Sequence, residues 1–255
     1  MKPTISICIP TYNRHLWLKS ALSNWLPQVK AFEESVELVV ADDASTDETA
    51  DVIEEARAWG TFVYHRNDVN IGMFSNYAKL VSIAGGEFIW MVGDDTVPRS
   101  CALSRCMGAL KRYPALDIFC VNYSHWFPRE PPTELLRTDD FDLESAALSR
   151  FKDTYVDRVA DLLKFDSTLL SFSHSLIWRH SLAKYAFPPI DLKEYHTSLR
   201  TAFPHAEYIA KNLLDKPAYY IGYPVLVNAL SPRFFSWSKY WYITALRWIP
   251  ELADE

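Results

Sequence analysis

Two adjacent carboxylates follow a strongly apolar run in this sequence of 255 residues. Asp94 and Asp95 come directly after Gly93 and the run 88–92, which has the composition of a buried strand. Neighbouring carboxylates raise each other's pKa unless a cation neutralises them. Because hard divalent cations prefer oxygen ligands and also bind diphosphates, the pair predicts a metal site. A pair of solvated surface acids is the weaker alternative, since the strand before it is so apolar.

A second group of polar residues follows the apolar run 5–9. Pro10 stiffens the segment, Thr11 and Asn13 can hydrogen-bond a ligand, and the ring of Tyr12 can stack on a nucleobase. An ordinary turn in which Asn13 caps the next helix would explain this segment on its own.

Two acids follow the β-rich run 36–41. One carboxylate at the end of a parallel strand can accept hydrogen bonds from a nucleobase or a ribose. We favour this role for Asp42, whereas binding and helix capping are equal alternatives for Asp43.

Amide side chains and a glycine form the fourth segment. Gly72 permits a positive φ or a close approach of the backbone to a ligand. Asn70 and Asn76 can bridge loops or contact a ligand. A loop that simply enters a helix is a fair alternative.

Strand-like and helix-like periodicities alternate over the first 125 residues, and they position these segments. The expected strands are 5–9, 36–41, 61–65, 88–92 and 115–123. Such alternation predicts an α/β protein with a parallel sheet and right-handed crossovers. Parallel sheets bind ligands beyond the carboxyl ends of their strands. The four polar segments follow predicted strands, so we expect them to meet at that edge.

In this order, the four segments resemble family 2 glycosyltransferases. The matching residues are Ile9–Arg14, Val40–Asp47, Asn70-x-Gly72-x-x-x-Asn76 and Gly85–Asp95. The resemblance implies a GT-A fold, which is a Rossmann-like, mostly parallel sheet flanked by helices, with a C-terminal acceptor-side extension. O-antigen transferases, including abequosyltransferase-like enzymes, are the members that the chain resembles most.

The resemblance also implies roles for individual residues. Thr11 and Tyr12 would line the nucleoside pocket, and Asp42 would bind the base. Asp94 would contact the ribose or the metal, and Asp95 would hold Mn²⁺ or Mg²⁺ against the diphosphate. The full expected set for the nucleotide-sugar donor (a UDP, GDP, CDP or dTDP sugar) is Pro10, Thr11, Tyr12, Arg14, Asp42, Asn70, Gly72, Asn76 and Asp94.

Enzymes of this family invert the anomeric centre, so a general base should deprotonate the acceptor hydroxyl. The family's usual Glu-Asp pair has no clean match, and Glu207 or His205 is the nearest substitute. His205 is equally a candidate metal ligand or a structural histidine. Processive members carry Gln-x-x-Arg-Trp, but Thr244 replaces the glutamine before Arg247 and Trp248, which predicts a single addition.

We expect three regions along the chain. Residues 1–125 would bind the nucleotide sugar, residues 126–230 would form the acceptor side of the same domain, and residues 231–255 form an aromatic tail. The tail would pack on the body, form a homo-oligomer contact or lie at a membrane interface. The acceptor would be a saccharide or a lipid-linked saccharide.

Composition excludes several other classes. The net charge of −6 argues against a nucleic-acid partner. The segment 10–14 lacks the glycines of a dinucleotide-binding loop, and no apolar run is long enough for a membrane span. The four cysteines form no CxxC pair, so we expect a cytoplasmic protein, at most peripheral on the inner face of the membrane. A catalytically weak sugar-nucleotide-binding subunit of a polysaccharide assembly complex remains the alternative function.

Overall fold

The computed structural model describes residues 2–128, 136, 152–163, 172–195 and 197–229. In this part, nine strands form one sheet that carries helices on both faces. The strands are β1 (Ile5–Thr11), β2 (Val36–Asp42), β3 (Val63–Arg66), β4 (Phe88–Met91), β5 (Thr96–Pro98), β6 (Ile118–Trp126), β7 (Thr154–Val156), β8 (Leu176–Arg179) and β9 (Ala218–Ala229). The helices are α1 (His15–Ala31), α2 (Thr49–Ala56), α3 (Met73–Ile83), α4 (Ala102–Arg112), α5 (Val159–Leu163), α6 (His180–Ala186), α7 (Leu199–Ala202) and α8 (Pro204–Asn212).

The sheet has the order β3-β2-β1-β4-β8-β6-β9-β5, and β7 pairs with β9. The first four strands are parallel to one another. Strand β8 then runs antiparallel between β4 and β6, and β5 and β7 run antiparallel to β9. The α/β class is confirmed, and so is the mostly parallel sheet, because β6 also pairs in parallel with β9, whereas the antiparallel pairings of β8, β5 and β7 are short.

Alternate residues of β1 pack into two separate layers, as the two-residue period of a strand requires. Ile7 and Ile9 contact the layer that contains α1, α2 and α4, whereas Cys8 contacts the layer that contains α3, α6 and α8. Trp25 of α1 packs edge-on against Trp90 of β4, with ring centroids 5.3 Å apart. Burying one such side chain contributes about 1.5–3 kcal/mol, so these contacts fix α1 over the sheet.

Strand β8 lies in the middle of the sheet, between β4 and β6. Leu176, Ile177 and Trp178 are all fully buried. A strand that is apolar on both faces needs neighbours and cover on both sides, which an edge position does not supply.

A short strand precedes α5 in the chain. Residues 154–156 form β7, and residues 159–163 form α5. The ring of Tyr155 packs against Tyr113, with centroids 5.6 Å apart, which favours the extended backbone.

The aromatic tail, residues 231–255, also lies outside the described residues, so its expected membrane or oligomer contacts stay predictions. Each helix in the described part of the chain is too short or too polar to cross a bilayer.

Candidate functional site

A cleft of about 490 Å³ opens at the carboxyl ends of β1 and β4. It is lined by nine of the residues expected to bind the donor or the metal, namely Pro10, Thr11, Tyr12, Arg14, Asn70, Gly72, Asn76, Asp94 and Asp95. His205 and the segment 172–174 line the cleft as well. The parallel pairing of β1 with β2 and with β4 explains why these residues lie together, because the carboxyl ends of the three strands lie at the same edge of the sheet.

The acid pair is bound by two side chains of the first polar segment. Thr11 Oγ1 donates a hydrogen bond to Asp94 Oδ2 at 2.9 Å. Arg14 Nη2 donates to Asp95 Oδ2 at 2.7 Å, and its Nε lies 3.3 Å from Asp94 Oδ1. One guanidinium therefore bridges two carboxylates, and the site keeps a net negative charge.

Burial raises the pKa of the Asp94 carboxyl to about 6. Asp95 adds to this rise, while Arg14 and the hydrogen bond from Thr11 oppose it. For Arg14, burial favours the neutral form, but the two carboxylates outweigh it and raise the pKa of the guanidinium. The cleft thus contains a buried acid whose charge is costly without a cation.

Asp43 holds the loop that enters α3 against the cleft. Its Oδ1 accepts a hydrogen bond from the Ile71 amide at 2.9 Å, and its Oδ2 accepts one from the Gly72 amide at 2.8 Å. Asn67 Nδ2 donates a further bond to Asp43 Oδ1 at 2.9 Å. Gly72 has φ 85°, which disfavours any residue with a Cβ. Asp43 lines the cleft, so its expected role in binding stays open, whereas the N-cap residue of α2 makes no side-chain capping hydrogen bond, so Asp43 does not have the alternative role of capping that helix.

Asp42 is not among the residues that line the cleft, so its position does not support the expected contact with a base. Its carboxylate accepts hydrogen bonds from the Tyr64 hydroxyl at 3.0 Å and from the Ser45 amide at 2.8 Å. Arg66 Nε lies 3.5 Å from the same carboxylate. Asp42 is only 1% exposed, because its side chain points along the sheet towards β3 and its partners there.

Asn70 and Asn76 line the cleft and also hold its loop in place. Asn70 Oδ1 accepts a hydrogen bond from the Gly72 amide at 3.0 Å. Asn76 Nδ2 donates to the carbonyl of Ala41 at 2.8 Å, and its Oδ1 accepts from Asn67. The amide groups therefore have the loop-bridging role that the sequence offered as one alternative.

The two candidate bases lie in different places. His205, 4% exposed, lines the cleft, where its ring stacks on Phe187 with centroids 5.8 Å apart. Glu207 is not among the lining residues, and its Oε1 is paired with Lys211 Nζ at 3.0 Å. This pairing at i and i+4 on α8 favours a surface orientation, so the expectation that Glu207 acts as base is not supported by its position.

Sequence reasoning missed the aromatic residues that line the second side of the cleft. Tyr77 of α3 lines the cleft and hydrogen-bonds Ser173. The Tyr195 hydroxyl accepts a hydrogen bond from the Phe74 amide at 2.9 Å. His174, a weaker candidate for acceptor contact from the sequence, also lines the cleft, and burial lowers its pKa to about 3, so its ring is neutral at neutral pH. No local signal marks Tyr77 or Tyr195 as cleft residues, because they meet there only in the folded chain.

The residues of the cleft fit a divalent cation. Asp94 and Asp95 supply hard oxygen ligands, and a buried acid with a raised pKa gains most from a cation nearby. In the described part of the chain, no third His, Cys, Asp or Glu atom joins this pair closely enough to complete a group of three. The remaining coordination positions would thus be left for water and diphosphate oxygens.

A different group of three potential ligands lies outside the cleft. His15 Nδ1 is 3.0 Å from Asp47 Oδ2 and 3.2 Å from Glu48 Oε2. We prefer the acid pair as the metal site, because these three side chains already pair with one another and none of them lines the cleft.

Comparison with known proteins agrees with this geometry. The sequence model of glycosyl transferase family 2 matches residues 6–182. Abequosyltransferase RfbV of Salmonella typhimurium is 29% identical over 233 residues, which cover 88% of this chain and 66% of that protein. A β-1,3-glucosyltransferase of Campylobacter jejuni, which acts on GalNAc(5)-diNAcBac-PP-undecaprenol by its name, is 30% identical over 107 residues, covering 41% of this chain and 34% of that one.

Solved structures share the fold. S. aureus TarS in complex with UDP superposes with a TM-score of 0.65 at 20% identity and covers 89% of this chain and 61% of that chain. The Pyrobaculum calidifontis mannosyltransferase PcManGT, in complex with GDP-Man and Mn²⁺, superposes with a TM-score of 0.60 at 15% identity. The match covers 100% of this chain and 65% of that chain. This chain thus spans slightly less than two thirds of the length of these two proteins and of the abequosyltransferase, and about one third of the Campylobacter jejuni relative. The GT-A fold is confirmed, and the chain belongs to glycosyl transferase family 2.

Proposed function

We propose that this protein is an inverting, metal-dependent glycosyltransferase. It would move one sugar from a nucleoside-diphosphate donor to a hydroxyl of a saccharide or lipid-linked acceptor during surface polysaccharide synthesis. The observation that carries the proposal is the acid pair that lines the cleft, buried Asp94 and partly buried Asp95, held by Thr11 and Arg14. Relatives named as an abequosyltransferase and an undecaprenol-linked glucosyltransferase support the setting.

The donor would lie along the carboxyl ends of β1 and β4. Tyr12, 44% exposed beside the cleft, offers its ring face to the nucleobase, and Asp43 offers a carboxylate at the end of β2. Asp94 and Asp95 would hold Mn²⁺ or Mg²⁺, which would neutralise the charge that develops on the leaving diphosphate. Solved neighbours in complex with UDP-GlcNAc and with GDP-Man and Mn²⁺ support this arrangement.

The acceptor would bind on the side of the cleft that His174 and His205 line. In the transfer, the acceptor oxygen forms a bond to the anomeric carbon from the side opposite the diphosphate, while the bond from that carbon to the diphosphate oxygen breaks. The proton of the acceptor hydroxyl passes to His205, the candidate base that lines the cleft. Attack from the opposite side gives inversion.

A second candidate function is supported by the position of Glu207, which leaves the cleft with no carboxylate base from α8. The chain would then be a sugar-nucleotide-binding subunit with little activity of its own. Such a subunit would bind a donor in a metal-dependent way and would not hydrolyse it.

The proposal is tested in two steps. UDP, GDP, CDP and dTDP are screened with and without Mn²⁺ for an increase in melting temperature, because a ligand of the native state stabilises it by mass action. The matching nucleotide sugar is then followed for slow hydrolysis and for transfer to saccharide acceptors. We expect one diphosphate to stabilise only with metal, and its sugar to be hydrolysed. Metal-dependent stabilisation without turnover would favour the binding subunit, and no stabilisation at all would overturn both.

Substituting each of the two candidate bases in a separate variant distinguishes their roles. His205→Ala should lower turnover while donor binding is kept, and Glu207→Gln should leave both close to wild type. If His205→Ala also removes metal-dependent nucleotide binding, His205 is a metal ligand and not the base.

A further inference from the structure

Arg14 occupies a position that competes with a metal. Its Nη2 contacts Asp95 at 2.7 Å, and its Nε lies 3.3 Å from Asp94. These are carboxylate oxygens of the pair that fits a divalent cation. A guanidinium and a metal ion cannot both take the same oxygen lone pairs, and their positive charges repel at this distance.

The backbone around Arg14 is fixed on both sides. Asn13 has φ 52°, and its amide donates to Ser45 Oγ at 2.9 Å. The amide of His15 donates to Asp47 Oδ2 at 3.1 Å. The start of the Arg14 side chain is therefore anchored, so the guanidinium can move only by rotation about its own side-chain bonds.

The guanidinium has room to move within the cleft. The Arg14 side chain is 36% exposed, whereas the Asp94 side chain is 4% exposed. The Arg14 guanidinium also lies 5.8 Å from the centroid of the Trp17 ring, which lines the same cleft. A side chain that can turn away from the buried acids would still face the space in which a diphosphate binds beside a metal.

We propose that Arg14 and the divalent metal exchange on the acid pair, and that the displaced guanidinium then binds the diphosphate of the donor. This inference rests on the proposed function. Arginine presents paired donors that match phosphate oxygens, so the diphosphate replaces the carboxylates as its partner. The exchange couples binding of the metal to binding of the diphosphate. Metal alone must break the ion pairs of Arg14 and gives it no new partner, whereas metal together with diphosphate gives Arg14 a new anionic partner.

Calorimetry measures metal binding and diphosphate binding separately. Mn²⁺ alone is titrated into the wild type, Arg14→Gln, Arg14→Lys and the control Arg57→Gln, and each titration is repeated with UDP and with GDP. Arg57 is an exposed arginine that pairs with Glu54 on α2 and lies outside the cleft. Melting temperatures of all variants confirm that they are folded.

Arg14→Gln should bind Mn²⁺ alone several-fold more tightly than the wild type, because the competing cation is gone. The same variant should bind the diphosphate in the presence of Mn²⁺ about tenfold more weakly, because charged hydrogen bonds to phosphate are lost. Arg14→Lys should lie between, and Arg57→Gln should match the wild type in both.

An unchanged or weaker affinity of Arg14→Gln for Mn²⁺ alone would overturn the exchange. A tighter Mn²⁺ affinity with unchanged diphosphate affinity would overturn the transfer of Arg14 to the diphosphate. Failure of the proposed function looks different, because the wild type would then bind no nucleoside diphosphate with Mn²⁺.

Discussion

The hydroxyl of Thr11 donates a hydrogen bond to the carboxylate of Asp94 at 2.9 Å, across 83 residues of sequence. The bond joins the end of β1 to the loop that follows β4, two neighbouring parallel strands. The first polar segment thereby fixes the geometry of the acid pair before any ligand binds.

Thr11→Val should weaken metal-dependent nucleotide binding. The substitution keeps the shape of the side chain and removes the donor, so Asp94 loses a hydrogen bond that lowers its pKa. Hydrogen bonds to charged groups contribute about 1.5–3 kcal/mol, which predicts a loss of roughly tenfold or more in affinity at pH 7. Thr11→Ser, which keeps the hydroxyl, is the matched control in the same calorimetric titration. Equal affinities for the two variants would show that the bond has no part in binding.

Asp94→Asn should stabilise the fold while it removes metal-dependent binding. The folded-state pKa of Asp94, about 6, lies above the ordinary value for a carboxyl, so the folded state binds more protons between about pH 4 and pH 6. Stability contributed by this group is present at low pH and is lost as the pH rises through that window. At pH 7.5 we expect Asp94→Asn to be more stable than wild type by about 1–3 kcal/mol.

Urea denaturation at pH 4 and at pH 7.5 measures this difference. The gain from Asp94→Asn should be close to zero at pH 4, where the wild-type carboxyl is protonated. A loss of stability at pH 7.5 would contradict the placement of a costly buried charge at Asp94.

Asp43 and Asp42 should differ although they are adjacent. Asp43→Ala removes the acceptor for the amides of Ile71 and Gly72 at the wall of the cleft, so nucleotide affinity should fall by tenfold or more. Asp42→Ala removes the partner of Tyr64 outside the cleft, so it should lower the melting temperature and change affinity much less. Calorimetry on both variants, with melting curves, tests the pair. The reverse ranking of affinities would restore Asp42 as the donor ligand.

Features set by interactions between residues close in sequence can be predicted from the sequence, whereas features set by contacts between distant segments cannot. The periodicities located β1 to β4, and polar residues at the ends of strands identified nine residues of the cleft. The preference for Asp42 over Asp43 is not supported by their positions, because these depend on which carboxylate meets Tyr64 on the neighbouring strand. The central place of β8 was also beyond prediction, since strand order is set by the folded chain. The pairing of Glu207 with Lys211, by contrast, is a local i, i+4 contact that the spacing on the helix could have indicated.

Two glycines test the packing beneath the site. A Cβ on Gly86 would lie 2.6 Å from the amide nitrogen of Ser6 and 2.8 Å from the carbonyl carbon of Ile5, so Gly86→Ala should cost about 1–3 kcal/mol of unfolding free energy. Gly108 lies inside α4 and has nothing within 4 Å of such a Cβ, so Gly108→Ala should be neutral or should stabilise by up to about 1 kcal/mol. Urea denaturation compares the two. A neutral Gly86→Ala would contradict the close approach of the loop before β4 to β1.

The central claim is that Asp95 holds a divalent ion against the diphosphate of a sugar donor. Calorimetric titration of the preferred nucleoside diphosphate, with Mn²⁺ and with EDTA, into the wild type and Asp95→Asn tests it most directly. We expect the wild type to bind only with Mn²⁺, and Asp95→Asn to lose that binding while it keeps its melting temperature within a few degrees. Unchanged Mn²⁺-dependent affinity in Asp95→Asn would contradict the account.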